Sequence, residues 1–88
     1  MNDTISEIKA RLASLQPENI EIIDESAQHA GHAGARSGGG HYQMTIISPA
    51  FTGQNTVARH RAIYQALGDL MSTRIHALSI TAYSPEEL

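Results

Sequence analysis

The sequence predicts a two-layer α+β sandwich formed by one small domain. Three observations carry this expectation. The chain has 88 residues, below the roughly 100–150 residues of a common single domain. Its apolar residues recur in the order helix, strand, strand, helix, strand. Two helices with one apolar stripe each and a sheet with one apolar face can bury those surfaces only against one another.

The first helix is predicted over about Thr4 to Leu15, where Ile5, Ile8, Leu12 and Leu15 share a face. Thr4-Ile5-Ser6-Glu7 fits a capping box, and Pro17 blocks continuation. Asn19 to Ser26 reads as a strand: Ile20 and Ile22 alternate with Glu21, and Ile23 opens onto the opposite face. A second strand is expected from about His41 to Ser48, with Tyr42, Met44 and Ile46 on one face. Pro49 stops it, and Phe51-Thr52-Gly53-Gln54 supplies a turn. Helical spacing resumes from about Asn55 to Met71, with Val57, His60, Ile63, Tyr64, Leu67 and Met71 on one apolar face. Gly68 marks close packing or a bend there. The last strand is predicted from about Arg74 to Tyr83, with His76, Leu78 and Ile80 on one face, and Ser84-Pro85 ends it. The core thus spans about residues 4–85 of one domain covering 1–88.

Ala27 to Gly40 holds five of the seven glycines and two histidines between the first two strands. A connection longer than about 12 residues without structure of its own is usually functional or disordered. It is the first place to look for a site.

Composition removes several classes of activity. The chain contains no cysteine, which excludes disulfides, zinc–thiolate sites, thiol catalysis and a self-contained cysteine-ligated cluster. No apolar run approaches the ~18 residues of a membrane span, and the N-terminus lacks a signal-peptide profile, so a cytoplasmic location without membrane contact is expected. The net charge of −3 argues against a strong general affinity for nucleic acid. Its distribution is uneven: residues 1–40 carry −3, residues 41–83 carry +2 through Arg59, Arg61 and Arg74 against Asp69, and Glu86 and Glu87 make the tail −2. An anionic partner would meet the C-terminal half.

Five histidines in so short a chain are the unusual feature. His60 lies in the apolar stripe of its helix and reads as a structural, packed residue. Arg59 and Arg61 flank that stripe. His41 opens its strand on the more polar face and receives no functional role. His76 falls at the first turn of the last strand, at the rim of the core face, where one ring nitrogen can be held while the other faces out. His29 and His32 lie in the glycine-rich segment, and a partner-free metal site of His29, His32 and His41 is a further arrangement they allow.

Phe51-Thr52-Gly53, then Val57-Ala58-Arg59-His60-Arg61-Ala62-Ile63-Tyr64, then Ile75-His76-Ala77-Leu78-Ser79-Ile80 resemble the BolA family. Asp24-Glu25-Ser26 and His41-Tyr42 fit as well, and the resemblance covers about residues 4–85. It implies an α-β-β-α-α-β fold of type II KH-like form, a three-stranded mixed sheet with helices on one face. The segment from Asn55 to Met71 would then be bent or split into a short helix and a longer one.

The resemblance also implies a non-enzymatic role. Members of the family pair with monothiol glutaredoxins and share or accept a [2Fe–2S] cluster in iron–sulfur maturation and iron homeostasis, and some act as DNA-binding transcription regulators in stress response. The family's cluster ligand at the start of the last strand falls on His76. Its loop ligand falls on His29, with His32 an extra candidate in a segment longer and richer in glycine than the family's. Such a cluster takes four ligands, and imidazole can replace thiolate on one iron. A thiol-free chain would leave the sulfur to the glutaredoxin and glutathione, and hold no cofactor as a monomer or weak homodimer alone. Imidazole must be neutral to bind, so ligation is expected to weaken below about pH 6. The alternative is a DNA-binding regulator that uses Arg59, Arg61 and Arg74.

Overall fold

In the computed structural model, which describes residues 3–25 and 40–88, the elements follow the predicted order. Helix α1 (Asp3–Leu12) continues as a 3₁₀ turn, Ala13–Leu15. Strand β1 (Asn19–Asp24) and strand β2 (Gly40–Ile47) follow, then helix α2 (Thr56–Leu67), a short α3 (Leu70–Thr73) and strand β3 (Ile75–Tyr83). The helix is already under way at Asp3, so Thr4 is not the cap that the sequence suggested. Asn55 does cap α2: its side-chain oxygen accepts from the Ala58 amide at 2.8 Å. Gln16 ends the first helical unit with φ of 51°, a left-handed conformation uncommon outside glycine and asparagine.

The sheet order is β1-β2-β3, with β1 antiparallel to β2 and β2 parallel to β3. Parallel neighbours cannot be joined by a hairpin, and α2 and α3 supply the crossover. The helices cover one face of the sheet. Tyr42, Met44 and Ile46 of β2 are buried there against Ile8 and Leu12 of α1, Ile63 and Leu67 of α2, and Phe51, Leu70 and Ile75. Ile23 lies 53% exposed on the other face, as its place in the alternation requires.

The long second helix breaks at Gly68, whose φ of 55° and ψ of −127° no helix accommodates. Arg11 of α1 secures the break: Nη1 donates to the Leu67 carbonyl at 3.0 Å and pairs with Asp69 at 3.0 Å. A cation thus meets the negative end of the α2 dipole. Ser48 secures the opposite corner. Its hydroxyl, fully buried, donates to the Leu15 carbonyl at 2.5 Å and accepts from the Ala50 amide at 3.1 Å. The same residue caps the 3₁₀ turn Pro49–Phe51.

The expected apolar stripe of α2 is displaced around the helix. Ile63 and Leu67 are buried, but Val57 is 63% and Tyr64 41% exposed. Met71 belongs to α3, so the break at Gly68 invalidates a single helical projection through it. The buried meridian runs through Ile63, and Arg59 lies only about 40° from it on a helix of 3.6 residues per turn. Arg59 therefore turns inward where the sequence placed it on an edge.

Candidate functional site

The histidine-bearing end of the sheet is built by an irregularity in the β2–β3 pairing. Gly40 is opposite Ile75, but His41 is opposite Ala77, so the register shifts between Gly40 and His41 and His76 is the extra residue. Beyond the shift the core face continues through Leu78, Ile80 and Ala82. The sequence reading put His76 in step with Leu78 and Ile80. The structure corrects this, because one inserted residue resets the two-residue period: Ile75 takes the buried position and His76 is exposed. Its ring lies beside that of His41, with centroids 4.9 Å apart and planes tilted by 37°. His41 is half-buried, and its Nε2 is shielded from solvent.

The backbone around this pair is tied down from both sides. The Gly40 amide donates to the Arg74 carbonyl at 3.1 Å, and the Glu25 amide donates to the His41 carbonyl at 2.8 Å. Glu25 and Gly40, the described residues on either side of the sequence that contains His29 and His32, both sit at the His76 end of the sheet. His29 and His32 themselves lie outside the described residues, and with them the partner-free His29–His32–His41 site. Among the described residues no group of three or more His, Asp or Glu is arranged to hold a metal ion. What this end of the sheet offers is an accessible imidazole with a second imidazole against it. That suits one ligand of a centre completed from outside.

The arginines separate into different classes. Arg59 is occupied within the fold: Nε donates to the Gln54 carbonyl at 2.8 Å, and Nη1 donates to the Ala82 carbonyl at 3.0 Å and to Glu87 Oε1 at 2.5 Å. Its side chain is 11% exposed, and its guanidinium stands 6.0 Å from the centre of the Phe51 ring. Glu87 also accepts from the Ser84 amide at 2.6 Å, closing a capping box on the turn Pro85–Glu87. The Arg59 hydrogen bond, followed by that of the Ser84 amide, holds the Glu87 carboxyl below the usual carboxylate range. Glu86 is likewise lowered, by the Ser84 side chain first and then by backbone and Thr52 hydrogen bonds. Arg59 is thus a clasp between α2, the end of β3 and the C-terminal turn, not a free phosphate contact. Arg61 and Arg74 are exposed.

His60 is half-buried rather than enclosed. With Thr56, Val57, Arg61, Tyr64 and Gln65 it lines a shallow depression on the solvent side of α2. The sequence placed it in the core stripe, whereas the buried positions of α2 are Ile63 and Leu67. The sequence reading gave His41 a place only in the His29–His32–His41 arrangement and did not place it beside His76. Its signal was its place at the start of β2, but only the parallel register brings it to His76.

The family model described as BolA-like protein matches residues 12–87. The chain belongs to the BolA family. Among solved structures, the BolA domain of SufE1 from Arabidopsis thaliana superposes with a TM-score of 0.84 at 38% identity, covering 100% of this chain and 99% of that one. The DNA-binding transcriptional regulator BolA of Escherichia coli is 39% identical over 75 residues, 85% of this chain and 69% of that protein. SufE-like protein 1 of Arabidopsis thaliana is 44% identical over 79 residues, 84% of this chain but 21% of that protein. The chain therefore spans about a fifth of the length of that last relative. BolA proteins among its relatives carry the names of regulators or of BolA-like proteins, and some are named chloroplastic. Among the described residues no helix is long and apolar enough to cross a membrane.

Proposed function

We propose that this BolA-family chain is a non-enzymatic cytosolic adaptor that shares a [2Fe–2S] cluster with a monothiol glutaredoxin. His76 supplies one ligand and a histidine of the glycine-rich segment, His29 or His32, a second. The glutaredoxin cysteine and glutathione supply the sulfur. The single observation that carries this reading is the exposed His76 ring, set out from the sheet by the register shift in a protein without any thiol. The resident chemistry of such a cluster is electron and iron exchange, and this chain's part is to bind and orient through imidazole nitrogen. The return of the chain at Glu25 and Gly40 to the same end of the sheet supports a second ligand from residues 26–39.

The test mixes the protein with the glutaredoxin, iron, sulfide and glutathione and follows visible circular dichroism. A heterodimer spectrum distinct from that of the glutaredoxin alone is expected, and His76→Ala should abolish it. An unchanged spectrum in His76→Ala refutes the assigned ligand.

A second reading, DNA binding, is favoured by the names of the Escherichia coli and Vibrio cholerae relatives, both DNA-binding transcriptional regulators. In this chain it would rest on Arg61 and Arg74, since Arg59 is engaged by Glu87 and by two carbonyls. Affinity for duplex DNA should then fall steeply with salt. Gel shifts without a complex at low salt remove this reading.

A further inference from the structure

A residue inserted by a register shift stands outside the alternation that seats its neighbours, so its side chain has no pleat position of its own. His76 is such a residue: Gly40 pairs with Ile75 and His41 with Ala77, and His76 falls between the two pairs. Exposed on a strand end, its imidazole would sample several staggered rotamers. The His41 ring restricts it. At a centroid separation of 4.9 Å and a 37° tilt the two rings are in packing contact, within the ~4.5–7 Å span of aromatic pairs.

The His41 side of this contact is the stationary one. His41 is half-buried with Nε2 shielded from solvent, and its carbonyl accepts from the Glu25 amide at 2.8 Å. Directly before it, Gly40 is buried under Tyr42: a Cβ at Gly40 would stand 2.5 Å from the Tyr42 Cε2 and hydroxyl. Tyr42 is itself 5% exposed, a member of the core. His41 alternates with the buried Gly40 and Tyr42, so its half-buried ring stands on the other face of the sheet, on backbone that these two neighbours hold in place, and the His76 ring leans on it from solvent.

We infer that His41 is a positioning residue for His76: its ring fixes the rotamer and plane of the His76 imidazole before any iron arrives. What His76 binds rests on the cluster-sharing reading above. The ring packing does not. Neighbours that orient a metal ligand commonly matter 10–100-fold for affinity although they never touch the metal.

Two readouts test this, on His41→Ala, which removes the wall, and His41→Phe, which keeps a ring without nitrogen. The first is NMR of the isolated chain. Wild type and His41→Phe should show one His76 side-chain rotamer with ring-to-ring Overhauser contacts, whereas His41→Ala should show averaged couplings. An unaveraged His76 in His41→Ala overturns the inference, and so does an averaged one in His41→Phe. The second is titration with the cluster-loaded glutaredoxin, where His41→Ala should weaken binding about 10-fold and His41→Phe far less. Equal binding by wild type and His41→Ala overturns the proposed consequence for the ligand. His76→Ala is the control that separates the two ideas. If it binds the cluster like wild type, the cluster reading fails, and the rotamer measurement still decides the role of His41.

Discussion

Ser48 is a junction whose loss can be worked from the structure. Its buried hydroxyl donates to the Leu15 carbonyl at 2.5 Å and accepts from the Ala50 amide at 3.1 Å, joining the end of α1 to the turn after β2. The backbone bond from the Ser48 amide to the Tyr83 carbonyl, 3.0 Å, does not depend on the side chain and survives substitution. Ser48→Ala therefore removes the hydroxyl with little change of volume. Loss of the cap costs about 1 kcal/mol, within a range of roughly 0.5–2. Stranding the Leu15 carbonyl costs about 1–3 kcal/mol more. The two losses share one group and are not fully additive, so about 2–3 kcal/mol is expected in all. In a domain of this size that lowers the thermal midpoint by roughly 8–24 °C. Urea unfolding followed by far-ultraviolet circular dichroism measures it, with an unchanged m-value because the area exposed on unfolding is unchanged. Ser14→Ala is the control, since the exposed Ser14 hydroxyl donates only within its own helix, to the Arg11 carbonyl at 3.2 Å. Equal stabilities for Ser48→Ala and Ser14→Ala refute the reasoning.

Two further predictions concern the C-terminal clasp. Glu87 has a lowered native pKa, chiefly through Arg59, so its contribution to stability is complete above the ordinary carboxylate range and is lost as pH falls through the lowered native value. Acid titration of the thermal midpoint should show a shallower decline for Glu87→Gln than for wild type; parallel curves would dismiss the linkage. Arg59→Ala should destabilise the fold, since it strands the part-buried Ala82 carbonyl, by about 1–3 kcal/mol, whereas exposed Arg61→Ala should stay within about 0.5 kcal/mol of wild type. Equal urea midpoints for the two variants would mean that Arg59 is no clasp.

The sequence alone determined the order of elements, the apolar faces of α1, β1 and β2, and the absence of any thiolate ligand. Ile8 and Leu12, or Met44 and Ile46, repeat with the period of their own backbone, and that period is local. Gly68 as a bend was legible for the same reason, since glycine's tolerance of a positive φ is a local property. The family resemblance likewise rests on strings of adjacent residues.

Only the tertiary structure decided where His76 points, what stands beside it and which arginine is free. The register shift between β2 and β3 depends on how two strands separated by α2 and α3 pair, and no local spacing encodes one inserted residue. Arg59 and Arg61 look alike as neighbours in sequence, yet a rotation of the helix against the sheet sends the first to Glu87 and leaves the second in water. Periodicity fixes which residues share a face. Packing against distant elements fixes which face is inside.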